Sequence, residues 1–229
     1  MKLYGLQKLT LLDFPGRTAC TVFTGGCNFR CPFCHNALLV TKIDPSATME
    51  EEEFFAFLKK REGILDGVCI TGGEPLLQPD IEPFIRRIKE MGFMVKLDTN
   101  GAFPDRLAHL IAEGLLDYVA MDIKNSLEKY ALTAGTEVDT AAIEKSIDLL
   151  LSGKVDYEFR TTVTNELHTE EDILHIASRI QGAKAYFLQN FVDSGNLIGG
   201  GFSPVSEENM IRMRSRAQSL VPVAAIRGE

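Results

Sequence analysis

The chain has 229 residues, within the range of one α/β domain, and 45% of them are hydrophobic, enough to build a sizeable core. Its 24 basic and 32 acidic residues leave a formal charge of −8, and with no basic run this argues against a nucleic-acid partner. No apolar stretch nears the ~20 residues needed to cross a bilayer, and polar interruptions within residues 1–8 deny that segment a signal-peptide core.

Residues 1–17 read as a leader with leucines at 3, 6, 9, 11 and 12, closed by Asp13-Phe14-Pro15-Gly16-Arg17, where Pro-Gly marks a turn. Six strands are then predicted over residues 18–23, 67–71, 93–97, 117–121, 157–163 and 183–189, from β-branched and apolar runs bounded by turn residues. Helices alternate with them over 49–61, 80–91, 104–113, 139–151 and 169–181, and a last one spans 206–219. Thr48 is the expected N-cap of the first helix, with Glu51 three residues on and Phe54, Phe55 and Leu58 on its apolar face. A Gly-rich loop at 195–201 precedes the last helix, and a short apolar tail follows it. Strands alternating with helices imply a parallel sheet. No Gly-x-Gly-x-x-Gly is present, so a dinucleotide fold is not indicated. The expectation is one α/β domain over 1–229, a partial (β/α)6 barrel of the TIM type rather than a closed eight.

The most informative stretch is Gly26-Cys27-Asn28-Phe29-Arg30-Cys31-Pro32-Phe33-Cys34-His35-Asn36, with cysteines at C-x3-C-x2-C spacing. Thiolates are the usual ligands of iron–sulfur clusters, and a four-iron cluster commonly takes four of them. Three thiolates leave one iron open, and an open coordination position is where chemistry takes place. Cys27, Cys31 and Cys34 are therefore the expected ligands of a reactive [4Fe–4S] cluster. A zinc knuckle would need a fourth ligand, and His35 is too close to Cys34 to complete a tetrahedron easily. Cys20 and Cys69 lie in apolar runs and read as small buried residues. Five cysteines, three of them clustered, fit a metal site in a reducing compartment, so the cytoplasm is expected.

The remaining polar signals fall where predicted strands end. Thr71-Gly72-Gly73-Glu74-Pro75 offers two glycines through which backbone can approach a ligand, and a carboxylate for a cationic amino group. Asp98-Thr99-Asn100-Gly101, Asp122-Ile123-Lys124 and Gln189-Asn190 follow the third, fourth and sixth strands. Barrel-type α/β enzymes build their sites at that face. His109, His168 and His175 have no ligand partner at a suitable spacing and read as structural or exposed.

The cysteine spacing, the Gly-Gly-Glu run about forty residues on, and the barrel pattern together resemble the radical S-adenosylmethionine (SAM) superfamily. The resemblance implies that SAM chelates the free iron and that a 5′-deoxyadenosyl radical forms on reduction. It implies that Phe33 lies against the adenine. It also places Gly72, Gly73, Glu74, Asp98, Asn100, Asp122, Lys124 and Gln189 around SAM, with a monovalent cation as a further candidate. Asp13 to Arg17 together with Cys34-His35-Asn36 resemble the glycyl-radical-enzyme activating proteins, and the opening Leu9 to Gly16 is most similar to those serving anaerobic ribonucleoside-triphosphate reductase. The implied partners are a glycyl radical enzyme as protein substrate and an electron donor such as flavodoxin or ferredoxin. Departures are Phe14 where the signature prefers Gly, Gln189-Asn190 where a histidine is common, and Val163-Thr164-Asn165 in place of Val-Pro-Gly. The alternatives are a small-molecule radical SAM enzyme of the 7-carboxy-7-deazaguanine synthase kind, and a non-catalytic iron–sulfur or zinc protein.

Overall fold

The computed structural model describes residues 1–44, 46 and 48–228. Among the described residues eight strands form one sheet in chain order: β1 (Gly5–Thr10), β2 (Ala19–Thr24), β3 (Gly67–Gly72), β4 (Met94–Thr99), β5 (Tyr118–Asp122), β6 (Asp156–Val163), β7 (Tyr186–Asn190) and β8 (Ala224–Ile226). Every neighbouring pair from β2 to β8 is parallel, and β1 runs antiparallel to β2. The six expected strands are β2 to β7. The two edge strands were not expected. The leader lacks a strict alternation, and its Leu9 is 56% exposed, so β1 owes its place to backbone pairing with β2 more than to burial. The apolar tail supplies β8, which pairs with β7 and is covered by the last helix.

The helices are α1 (Ala37–Thr41), α2 (Glu51–Lys59), α3 (Ile81–Glu90), α4 (Pro104–Ala112), α5 (Tyr130–Ala134), α6 (Thr140–Leu151), α7 (Glu170–Arg179) and α8 (Glu207–Gln218). The short α1 and α5, in loops after strands, fall outside the predicted set. Helix α2 begins after Glu50 with no side-chain cap, so Thr48 is not its N-cap. Met49 exchanges backbone hydrogen bonds with Leu3 (2.8 and 3.2 Å), and that bridge holds the chain extended past Thr48. Elsewhere side chains do cap: Asp139 accepts from Ala141 and Ala142 at α6, and Thr169 with Asp172 forms a capping box at α7.

Strand alternation sorts residues between two faces. Val68, Ile70, Val95, Leu97, Val119, Met121, Phe159 and Leu188 pack outward in the core under the helices. The opposite face carries Thr21, Cys69, Lys96, Asp98, Tyr118, Asp122, Glu158, Arg160, Thr162 and Gln189, matched across the sheet by register pairs such as Cys69 with Lys96 and Asp122 with Arg160. The inner face of this barrel segment is therefore largely polar.

Candidate active site

A cleft with about 930 Å³ of free space, open mouth included, lies at the C-terminal ends of β2 to β7. Its walls include all three clustered cysteines, Phe33, Gly72, Gly73, Asp98, Asn100, Asp122, Lys124 and Gln189. Thus the structure gathers every site residue expected from the sequence except Glu74.

The cysteine loop is held from both sides. Arg30 N–H donates to Ala134 O (2.8 Å) at the end of α5, and Gly199 N–H donates to Pro32 O (2.7 Å), so the Gly-rich loop lies against the cysteine loop. Asn36 Nδ2 donates to Gly72 O (2.7 Å), which ties the Cys-His-Asn turn to the end of β3. The two glycines serve this joint. A Cβ on Gly73 would fall 1.9 Å from Gly26 O, and one on Gly72, at φ +119°, would fall 2.3 Å from Thr24 O. They allow backbone to meet backbone at this joint, and both also line the cleft.

Glu74 is placed differently from the glycines before it. It is fully buried, outside the cleft, and its carboxylate accepts from Leu76 N (3.0 Å), Thr99 Oγ1 (2.8 Å) and Asn100 N (2.7 Å). Burial pushes its carboxyl up to about 7 against the pull of those donors. Through these three contacts it clamps the β4 end to the β3 end, away from the cleft lining.

Beside the cysteines lies a charged network. Asp98 pairs with Lys96 through one oxygen and with Arg160 Nη1 (3.2 Å) through the other. Asp122 pairs with Arg160 Nε (2.8 Å) and Lys124 Nζ (3.1 Å). Burial would raise both carboxyls, but Arg160 with Lys96 holds Asp98 down, and Arg160 with Lys124 holds Asp122 well below the usual range. Burial likewise works against the Lys124 ammonium, but Asp122 and the nearby Cys31 raise its pKa above the usual lysine value. Two carboxylates and three cations leave the network one positive charge in excess, and each carboxylate oxygen already has a cationic partner. Lys124 retains N–H groups for an anionic ligand. The sequence places Arg160 within a predicted strand and assigns it no site role. The alternation Glu158-Arg160-Thr162 on a strand that otherwise reads apolar is the signal that places it on the inner face.

Phe33 meets His168, Phe191 and Phe202 edge-on at centroid distances of 6.0–6.5 Å, and His35 stacks on Phe191 at 5.8 Å. His168 is buried: its Nδ1 accepts from Thr164 N, so its Nε2–H donates to Lys124 O (2.9 Å) and braces the end of β5. His109 and His175 are exposed, against Glu82 and Glu171. Gln189 faces the cleft, whereas Asn190 turns away to exchange two hydrogen bonds with Val205.

The residues fit a cluster. None of the three is in a disulfide, and each feels the charge of Lys124. Burial pushes Cys31 up to about 11 and raises Cys27 and Cys34 as well, so thiolates here need a compensating positive centre. Among the described residues no three His, Cys, Asp or Glu side chains converge as a single ion would need. Thiolates that each take a different iron need no such convergence. Cys20 and Cys69 are fully buried, and burial pushes Cys20 up to about 12.

Residues 21–180 match the Radical SAM superfamily. A protein of Methanocaldococcus jannaschii assigned as a glycyl-radical enzyme activating enzyme is 36% identical over 195 residues, 82% of this chain and 78% of its own length. A 7-carboxy-7-deazaguanine synthase of Methanopyrus kandleri is 34% identical over 130 residues, 48% of this chain and 51% of that one. In fold, a crystal structure of a domain of pyruvate-formate lyase-activating enzyme from Bacteroides vulgatus superposes with a TM-score of 0.59 at 19% identity, covering 71% of this chain and 99% of that domain. Superfamily enzymes of this kind work with SAM and a [4Fe–4S] cluster, as the residues here allow. The chain belongs to the radical SAM superfamily of enzymes, and within it the likeness runs to the glycyl-radical-enzyme activating proteins.

Proposed function

We propose that this enzyme installs a glycyl radical on a partner protein, with an anaerobic ribonucleoside-triphosphate reductase as the first candidate. The observation that carries this reading is the span of likeness to the M. jannaschii protein, 82% of the chain against 48% for the deazaguanine synthase. A sheet whose edge strands β1 and β8 do not pair with each other supports it, because a polypeptide loop needs a way in. When bound, the cluster and SAM would supply an electron and a 5′-deoxyadenosyl radical able to take a hydrogen atom from a glycine Cα.

The chain's own residues position and shield. Cys27, Cys31 and Cys34 would hold the cluster. Lys124 would meet the methionyl carboxylate, with Asp98 and Asp122 near the amino group and ribose. The backbone at Gly72 and Gly73 would line the SAM site, and Phe33 and Gln189 would lie along the adenine. No side chain need act as general acid or base, because a hydrogen atom moves; the work is orientation and exclusion of water. A low-potential flavodoxin or ferredoxin is the expected donor, and free thiols suit a reducing compartment such as the cytoplasm. Among the described residues no helix is long and apolar enough to cross a membrane.

The test is anaerobic incubation with reductant, SAM and candidate glycyl radical enzymes. The expected result is an electron paramagnetic resonance doublet that collapses when the target glycine is deuterated at Cα. A metabolite that alone drives stoichiometric 5′-deoxyadenosine formation, with no doublet on any candidate, would move the assignment to a small-molecule enzyme.

A further inference from the structure

Asn100 was expected to contact SAM, but its side chain is committed elsewhere. The carboxamide oxygen accepts from Ala102 N (3.0 Å), which fixes which end of the amide points where. The opposite end, Nδ2, donates to Asn28 Oδ1 (2.8 Å) and lies 3.8 Å from Cys27 Sγ, within reach of an N–H···S hydrogen bond. The same sulfur receives Phe29 N–H (3.3 Å). Asn100 is buried, and its own N–H is held by the Glu74 carboxylate at 2.7 Å. A chain of fixed contacts therefore runs from Glu74 at the end of β3, through Asn100 at the end of β4, to the first cysteine of the loop after β2.

We propose that Asn100 is a positioning residue for the cluster, whose side-chain N–H donates to the Cys27 sulfur and raises the cluster's reduction potential. The reasoning is electrostatic. A reduced cluster carries one more electron, shared with its sulfurs, so an N–H dipole aimed at a ligand sulfur favours the reduced state. An oriented amide in a buried site gives that stabilisation without reorganising. Glu74 then has a function beyond packing, because it sets the backbone from which Asn100 projects. The inference rests on Cys27 being a cluster ligand.

The experiment is a redox titration of the reconstituted [4Fe–4S] cluster without SAM, followed by electron paramagnetic resonance, with iron counted in each sample. Asn100→Ala is expected to keep its iron and to lower the reduction equilibrium about tenfold, a shift of 59 mV for one electron. Asn28→Ala removes the competing acceptor and leaves the Asn100 N–H free for sulfur, so its midpoint should move by less than half as much. An unchanged midpoint in Asn100→Ala with full iron overturns the proposal. So does a shift in Asn28→Ala as large as that in Asn100→Ala, which would mark loop displacement as the cause. Should Asn100→Ala not retain its cluster, the wild-type protein labelled with side-chain ¹⁵N-asparagine decides: the reduced cluster must show a ¹⁵N hyperfine coupling, and its absence overturns the proposal. Cys27→Ala separates the two levels. Full iron in that variant removes the ligand assignment itself, whereas lost iron with an unmoved Asn100→Ala midpoint removes only the inference made here.

Discussion

The two ends of the strands use the same residue types in different ways. At the N-terminal end, Asp117 accepts from Lys89 Nζ (2.7 and 2.8 Å) and from Val95 N (2.6 Å), and Asp66 accepts from both the N–H and the hydroxyl of Thr18. Glu158 takes Tyr118 OH (3.2 Å) on one oxygen and Arg227 (2.7 Å) on the other, while Phe14 packs on Tyr118. Each of these acceptors is closed off by a turn, a helix end or a neighbouring strand. At the C-terminal end Asp98, Asp122, Arg160 and Lys124 satisfy one another across three strand ends and line an open cleft. The first arrangement only stabilises. The second is preorganised, and a ligand can join it without leaving a buried charge unpaired.

The sharpest way to break that contrast is through the cysteines. Alanine at Cys27, Cys31 or Cys34 should reduce iron after anaerobic reconstitution to background. Alanine at Cys20 or Cys69 should keep it, at a stability cost of about 1 kcal/mol, typical of single substitutions. Equal iron loss in Cys69→Ala and Cys31→Ala would undo the ligand assignment.

Lys124 and Lys89 form the next pair, one at each end. Lys124→Ala should weaken SAM binding by about 1.5–3 kcal/mol, the range for charge-assisted hydrogen bonds, or roughly 10- to 100-fold in Kd. Lys89→Ala should leave SAM affinity unchanged and lower stability by about 0.5–1 kcal/mol. Isothermal titration of the reconstituted protein and denaturant unfolding read the two. Glu74→Gln tests the clamp: one acceptor oxygen becomes a donor facing a donor, a cost of about 1–3 kcal/mol. If that variant instead loses SAM affinity at unchanged stability, Glu74 faces the ligand after all.

Acid unfolding probes the charged network itself. Asp98 and Asp122 have folded pKa values below their ordinary 3.8, held there against burial by Arg160 with lysine partners. Their contribution to stability is therefore complete above about pH 4–5, and is lost as pH falls through the lower folded values. Arg160→Met releases both carboxyls upward, so the acid loss should begin at higher pH than in the unaltered protein. An identical onset in urea unfolding across pH 3–7 would show that Arg160 is not what holds them.

The parallel core and the cleft's position were legible because they rest on local signals: apolar runs, turn residues, and motifs that follow strands. The edge strands β1 and β8 were not, since an edge strand draws on backbone pairing with a distant neighbour more than on its own pattern. The residue types at strand ends are polar in the sequence and gather at one cleft in the structure, but the direction in which each points is a tertiary property. Glu74 and Asn100 show this. Both lie in motifs that suggest ligand contact, yet Thr99, Leu76 and Asn28 take up their hydrogen bonds. Phe14, which departs from the activating-protein signature, also gains a reason. It is buried at the opposite end from the cleft, where a Cβ on Gly67 would come within 2.9 Å of its ring.

The smallest expected effect is also the most selective. Tyr118 and Asp122 stand on one strand with the same inward orientation, four residues apart, one at each end. Tyr118 spends its hydroxyl on Glu158, whose other oxygen already has Arg227. Phenylalanine at 118 keeps the ring contact with Phe14 and removes one hydrogen bond. Because Glu158 retains a charged partner, the loss should be near the ordinary value for one bond, about 1 kcal/mol. Iron content, SAM affinity and the cluster midpoint should stay at their wild-type values, since no bond between Tyr118 and the cleft network changes. Unfolding in urea at neutral pH, alongside one SAM titration, reads both sides. A Tyr118→Phe variant with normal stability but weakened SAM binding would mean that the polar inner face acts as one connected unit from end to end, and that the division between a closed end and a receptive end is wrong.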